Sequence, residues 1–373
     1  MTQSKRIAAI DWMRGFVMVL MMLDHVSMVY SAGHLGGDSA AKYVSGTVLP
    51  GFEFFSRWMT HLCAPTFVFL AGTALAISVE RKVVRGIESW HIDRDILLRG
   101  AFIALLDPTL ISFFSGKLLF QVLYAIGVAM MCMALLRRLP SSLLLALVFG
   151  WFIFGEILTV QGWPPGAGEG SIVKALLFSS YSSSNLSIMY PLLPWLAMMI
   201  VGWVFGRYLL DYGEGRKTIG PVKLLFATGV AALCAYGVVR YLNGYGNMLL
   251  LRDSNTWQQW LHVSKYPPSA TFALLELGLM AMILALMISV ERIIGVRPNG
   301  VLLVFGQTSM VFYLVHRLVL TGSGTYGGLR DVTDLQTCYL ITFVFLLLLY
   351  PFCLWYRGYK SRHVATSRWL TYL

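Results

Sequence analysis

Ten stretches of about 20 mostly apolar residues follow one another along the chain, at roughly 9–30, 58–79, 95–115, 118–136, 141–160, 188–210, 222–242, 268–290, 300–320 and 336–356. That is the length one helix needs to cross a bilayer. In hydrocarbon each segment must satisfy its own backbone N–H and C=O groups, so such a pattern folds as helices. The sequence therefore reads as an all-α, polytopic membrane helix bundle of about ten transmembrane helices, one domain over 1–373 with a short basic tail at 361–373. A hydrophobic share of 57% against 13% charged residues excludes a disordered chain or a disulfide scaffold.

The net charge of +11 does not point to nucleic acid, because the basic residues fall between apolar runs instead of along one polar face. With the N-terminus inside, most of the Lys and Arg fall on the inner side, which predicts both termini in the cytoplasm and a multi-pass inner-membrane protein. The first stretch carries Asp11, Arg14, Asp24 and His25 and lacks a clean small-residue cleavage site, so it reads as a retained helix and not as a signal peptide. Cysteines 63, 132, 234, 338 and 353 lie in apolar runs without a C-x-x-C or a nearby His pair, which predicts free structural thiols and no metal. The Gly-Trp-Pro-Pro-Gly run at 162–170 has neither the preceding strand nor the following Lys-Ser/Thr of a phosphate loop and reads as a plain loop.

An ionisable side chain within a span costs about 2.5–3.5 kcal/mol even on the lenient scale, so each one needs a partner or a purpose. On a helix, Arg14 and His25 lie about 20° apart and Asp11 about 60° from Arg14, a polar stripe spanning about 16 Å of depth between Arg14 and His25. Such a stripe can line a path through the membrane; its plainer role is an Asp11–Arg14 pair that anchors the helix. Asp24 cannot face its neighbour His25, so its partner should come from another helix. His61, one turn below the outer surface, lies at a depth similar to that of His25. Two converging histidines would supply a neutral base for an attacking amine or hydroxyl.

In Ser264-Lys265-Tyr266-Pro267-Pro268-Ser269 the prolines suit a helix start, while Lys265 and Tyr266 can bind an anion or steady an oxyanion. Glu276, two turns below Ser269, calls for an Arg partner. Gln307, Ser309, Tyr313 and His316 recur at helical spacing, which predicts that Ser309, Tyr313 and His316 share a bundle-facing stripe with Arg317 beside it. Gly72 and Gly202 can support helix packing within or between subunits.

Several blocks in order resemble the bacterial branch of the heparan-alpha-glucosaminide N-acetyltransferase catalytic domain family. They are Ile10-Asp11-Trp12-Met13-Arg14-Gly15, Met22-Leu23-Asp24-His25-Val26, and the stretch from Arg57-Trp58-Met59-Thr60-His61 through Cys63-Ala64-Pro65 to Ala71-Gly72. Tyr190-Pro191 to Trp195, Arg240 to Gly246, Lys265 to Ser269, and Phe305-Gly306 with Tyr313 to His316 look like its later blocks. The resemblance implies a membrane bundle that takes an acetyl group from cytosolic acetyl-CoA and delivers it across the membrane. It also implies a catalytic His after the first helix, where this chain has His34. The resemblance further implies an amide at the position of His25 and a small or hydroxylated residue where Glu276 stands, and this chain departs from it at both.

The resulting expectation is an acyltransferase using acetyl-CoA or another acyl-CoA as donor and an envelope glycan or glycolipid as acceptor, surrounded by membrane lipids and able to form a homo-oligomer. The candidate catalytic residues are His25, His61, His34 and Asp24, acting through a His general base or an acyl-His intermediate. The candidate donor-binding residues are Asp11, Arg14, Arg94, Arg99, Lys265, Tyr266 and His316. The rival reading is a proton-coupled transporter or lipid flippase using the same buried groups as a relay, and the absence of an inverted repeat weighs against it.

Overall fold

The computed structural model describes residues 7–162, 172–364 and 367. Most of the Gly-Pro run at 162–170 and most of the tail at 361–373 lie outside them. The described chain is an all-α polytopic bundle whose order is α1 (Ala8–Tyr30), α2 (Gly51–Thr60), α3 (Cys63–Val84), α4 (Ser89–Leu106), a π turn (Asp107–Ile111), α5 (Ser112–Ser115), β1 (Leu118–Phe120), α6 (Val122–Leu136), α7 (Ser141–Gly162), α8 (Ile172–Leu177), β2 (Tyr181–Ser182), β3 (Leu186–Ile188), α9 (Leu192–Gly213), α10 (Pro221–Leu242), α11 (Trp257–Leu261), α12 (Ala270–Ile294), α13 (Val301–Gln307), α14 (Ser309–Tyr326) and α15 (Leu335–His363). The three short strands form one sheet in the order β1-β3-β2, parallel then antiparallel.

Among the described residues, seven helical stretches are long and apolar enough to cross a membrane, and α13 with α14 meets the same test only when the two are taken together across an 86° bend. The other two expected segments are built differently. The stretch at 95–115 is α4, the π turn and α5 in series, and α4 carries Asp93, Arg94 and Asp95 after its first turn. The stretch at 118–136 gives its first residues to β1, leaving a 15-residue α6.

Helix ends follow the local sequence. The Ala8 and Ala9 amides donate to Glu291 Oε1 and Oε2 at 3.0 and 2.8 Å, so an acid from the end of α12 satisfies the start of α1. Pro267 and Pro268 precede the first turn of α12, whose cap is Ser269, with its hydroxyl accepting from the Phe272 amide at 3.0 Å.

Small residues set the closest helix contacts. Gly202 lies against Phe69 and Gly72 against Met199; a Cβ on either would come within 1.9 or 2.2 Å of a backbone oxygen. Both glycines thus serve the α3–α9 seam inside one chain. Gly306 on α13 meets Asp11 of α1 in the same way, and the chain bends immediately after it, at Thr308. The expected stripe lies beyond the bend: Ser309, Tyr313 and His316 all stand on α14, with Tyr313, His316 and Arg317 buried, while Gln307 precedes the bend and turns toward Arg357, whose Nη1 lies 3.3 Å from its side-chain oxygen.

Two loops roof one end of the bundle. Arg240, fully buried, donates to the carbonyls of Trp260, Leu250, Gln259 and His262 and to Asn247 Oδ1, and so gathers residues 247–262 around one guanidinium. Asp253 accepts from the Tyr43 and Ser45 hydroxyls and the Gly46 amide at 2.6, 2.9 and 2.9 Å, tying that loop to the one after α1.

Candidate active site

Beneath this roof, α1, α2, α14 and the segment before α12 bring their polar residues together. Arg57 on α2 bridges two acids. Its Nη1 donates to Asp24 Oδ1 at 2.5 Å, and its Nε and Nη2 donate to Asp38 Oδ2 at 2.9 and 2.5 Å. The Thr60 hydroxyl also donates to Asp24 Oδ1, at 2.8 Å. Asp24 thus finds its partner on another helix, as its position next to His25 requires.

Asp38, in the loop after α1, sits 3.3 Å from His61 Nε2, without the alignment of a hydrogen bond. Burial alone would raise the Asp38 carboxyl. The Arg57 guanidinium and then His61 outweigh that and hold it well below the usual carboxylate range. Its backbone carbonyl accepts from the amides of Lys265 and Tyr266 at 2.9 and 3.3 Å, fastening the loop to the segment before α12. His34 Nδ1 lies 3.1 Å from the Ser27 hydroxyl; burial, then the nearby Arg57 charge, push its imidazole below its ordinary value.

His25 does not converge with His61. Its histidine partner is His316, with Nδ1 of His25 2.7 Å from Nε2 of His316. The ring centroids are 5.0 Å apart with planes 16° from parallel, the geometry of two imidazoles meeting edge to edge. His316 in turn places Nδ1 2.8 Å from the Phe312 carbonyl, and Tyr313 stands edge-on to His25 at 6.1 Å. His61, at the junction of α2 and α3, faces Asp38 and Phe272 instead.

A cavity of about 40 Å³, room for two or three waters, is lined by Asp24, His25, Thr60, Gln121, Tyr190, Lys265 and Tyr313 together with Met21, Cys63, Ala64 and Val122. Lys265 is buried, with no carboxylate within 4.0 Å of its ammonium among the described residues. Its Nζ lies 5.3 Å from the Tyr266 ring centre, and the Tyr266 hydroxyl meets that of Tyr190 at 3.4 Å.

The expected donor-binding residues divide between the two ends of the bundle. Lys265, Tyr266 and His316 belong to the cluster around His25. Arg14 pairs with buried Asp11 at 2.9 Å, about 16 Å lower on α1, and Arg94 and Arg99 are exposed on α4. Glu276 is buried without the expected Arg partner among the described residues, and its Oε1 accepts no hydrogen bond.

Sequence reading did not single out Asp38 or Gln121 as site residues. Asp38 acts here only because its loop folds back over α2, which no local pattern announces. Arg57 and Thr60 stand in the R-W-x-T-H block, where a cation one turn before a histidine was the available signal.

This architecture defines a multi-pass membrane protein with a small, polar, histidine-bearing chamber near one end of its bundle. The family model described as heparan-alpha-glucosaminide N-acetyltransferase, catalytic, matches residues 6–240, well over half of the sequence, and the chain belongs to that family. Membership implies a membrane acetyltransferase. The matched region contains Asp24, His25, His34, Asp38, Arg57 and His61, whereas Lys265 and His316 lie beyond it. No curated protein matches the chain.

Proposed function

We propose that this protein is an inner-membrane acyltransferase that carries an acetyl group, or another acyl group, from cytosolic acyl-CoA to an amine or hydroxyl of an extracytoplasmic amino sugar, glycan or glycolipid. Both termini would lie in the cytoplasm, and basic groups at the inner end, Arg14, Arg94 and Arg99, would meet the donor's phosphates. The observation that carries the reading is His25, whose Nδ1 is engaged by His316 while its ring lines the cavity beside Lys265.

The acceptor N–H or O–H gives its proton to His25 Nε2 as the acceptor atom attacks the thioester carbonyl. The Lys265 ammonium stabilises the oxyanion that forms. Collapse of that intermediate breaks the C–S bond, and the CoA thiolate recovers the proton from His25, giving the acylated acceptor and free CoA. Asp24, held by Arg57 and Thr60, fixes the wall of the chamber. His34 and His61 stand as the other candidate bases.

The test is purified protein in detergent with labelled acetyl-CoA, followed by binding and CoA release for wild type, His25→Ala, His34→Ala and His61→Ala. Specific binding, with release abolished in His25→Ala alone, is the expected result. No binding at millimolar acetyl-CoA or longer acyl-CoAs by folded protein would overturn the reading. Loss in His34→Ala or His61→Ala alone would move the base to that residue.

A further inference from the structure

The residue facing His25 from α14 lies beyond the matched residues 6–240 and has no role in the steps above except to occupy one nitrogen. We propose that His316 is a positioning residue that fixes the tautomer of His25, holding the proton on Nδ1 and leaving Nε2 as the bare nitrogen that faces the cavity. This rests on His25 being the base.

The tautomer follows from a chain of two hydrogen bonds. A backbone carbonyl only accepts, so the 2.8 Å contact between His316 Nδ1 and the Phe312 oxygen requires the proton on that nitrogen. In the neutral ring, Nε2 of His316 is then a lone-pair acceptor. The 2.7 Å contact to His25 Nδ1 is made by a proton on His25. The near-coplanar rings direct that N–H along the acceptor lone pair. His25 Nε2 is therefore unprotonated, as a general base must be.

Among the described residues, His316 is the partner that His25 Nδ1 meets. The charged groups facing His25 are Asp24 on its own helix, Arg317 on α14 and Lys265 ahead of α12. Cations cannot accept the Nδ1 proton, and Asp24, the next residue on the same helix, does not face His25 and turns its Oδ1 to Arg57 and Thr60. His316 is completely buried and its hydrogen-bond partners among the described residues are Phe312 and His25, so it reaches the reaction through His25. When His25 takes the acceptor proton on Nε2, the same Nδ1–H bond becomes charge-assisted and stronger. The proton then passes to the departing thiolate, and His316 ends the cycle unchanged.

The deciding experiment compares His316→Leu, which removes the acceptor, with His316→Gln, whose side-chain oxygen replaces Nε2. CoA release and acetyl-CoA KM are measured for both, and the histidine ¹⁵N spectrum is recorded for wild type and His25→Ala to assign the His25 ring. His316→Leu should lower kcat on the order of 100-fold with KM within about threefold, and His316→Gln should recover most of that loss. In wild type the His25 signals should show a protonated Nδ1 and a bare Nε2.

Equal turnover in His316→Leu and wild type, a His316→Gln variant as slow as His316→Leu, or a bare Nδ1 on His25 would each overturn the proposal. If His316→Leu fails to fold, the Gln variant and the spectrum still decide. Absence of turnover by wild type would instead count against the acyltransferase reading, and the ¹⁵N spectrum would remain readable.

Discussion

Arg57 is the residue on which the chamber's electrostatics turn. It compensates Asp24 and Asp38 together, and removing one partner from a buried ion pair strands the other at about 3–5 kcal/mol. Arg57→Leu should therefore depress thermal stability in detergent sharply, and adding Asp24→Asn and Asp38→Asn should restore much of it; a triple variant no more stable than the single one would refute this account. Because the Asp38 carboxyl is held well below its ordinary range, its contribution is fully present above about pH 4 and is lost only as pH falls through the lowered folded value. His34 acts at higher pH. Its folded value is lowered, so the fold favours the neutral ring and loses stability as pH drops below about 6.5. Melting curves of wild type and His34→Gln between pH 8 and 5 should diverge toward acid, with the variant falling less. Much of this was legible in the sequence: an ionisable group inside an apolar run is conspicuous at Asp24, His25 and His316. The pairing of His25 was not, because two stripes on different helices carry no information about which one faces the other.

The elements show where a hydropathy pattern stops being informative. It finds apolar length: among the described residues, seven of the ten stretches correspond to helices that meet the length and hydropathy of a span, and the stretch at 300–320 to a bent pair that meets them together. It cannot find the 86° bend at Thr308, since both limbs are apolar and no proline marks the break. Close glycine contact is equally invisible, because a glycine on a seam and one facing open space look alike in sequence. Gly202→Ala should lose folded yield or several degrees of melting temperature, as its methyl would strike the Phe69 carbonyl region. Gly213→Ala, with open space around the added atom, should be neutral or slightly stabilising; similar melting temperatures for the two would sink the seam argument. Arg240 marks the same divide in a loop. Arg240→Leu leaves the carbonyls of Leu250, Gln259 and His262 without their buried donor and should expose residues 247–262 to limited proteolysis.

At the scale of the molecule, the roof and the helices answer to one another: α1 supplies Asp24 and His25, its following loop supplies His34 and Asp38, and the segment before α12 supplies Lys265. The Asp38 carbonyl, bonded to both Lys265 and Tyr266 amides, ties the loop after α1 to the segment before α12. On the proposed reaction, the cavity of about 40 Å³ has a further consequence. Room for two or three waters beside the proposed base would offer the thioester a competing nucleophile whenever the acceptor is missing, and donor hydrolysis would be the leak rate of the catalyst. Filling that space with Ala64→Val should then slow the leak more than it slows transfer, because the added methyls displace water from the cavity that Ala64 lines.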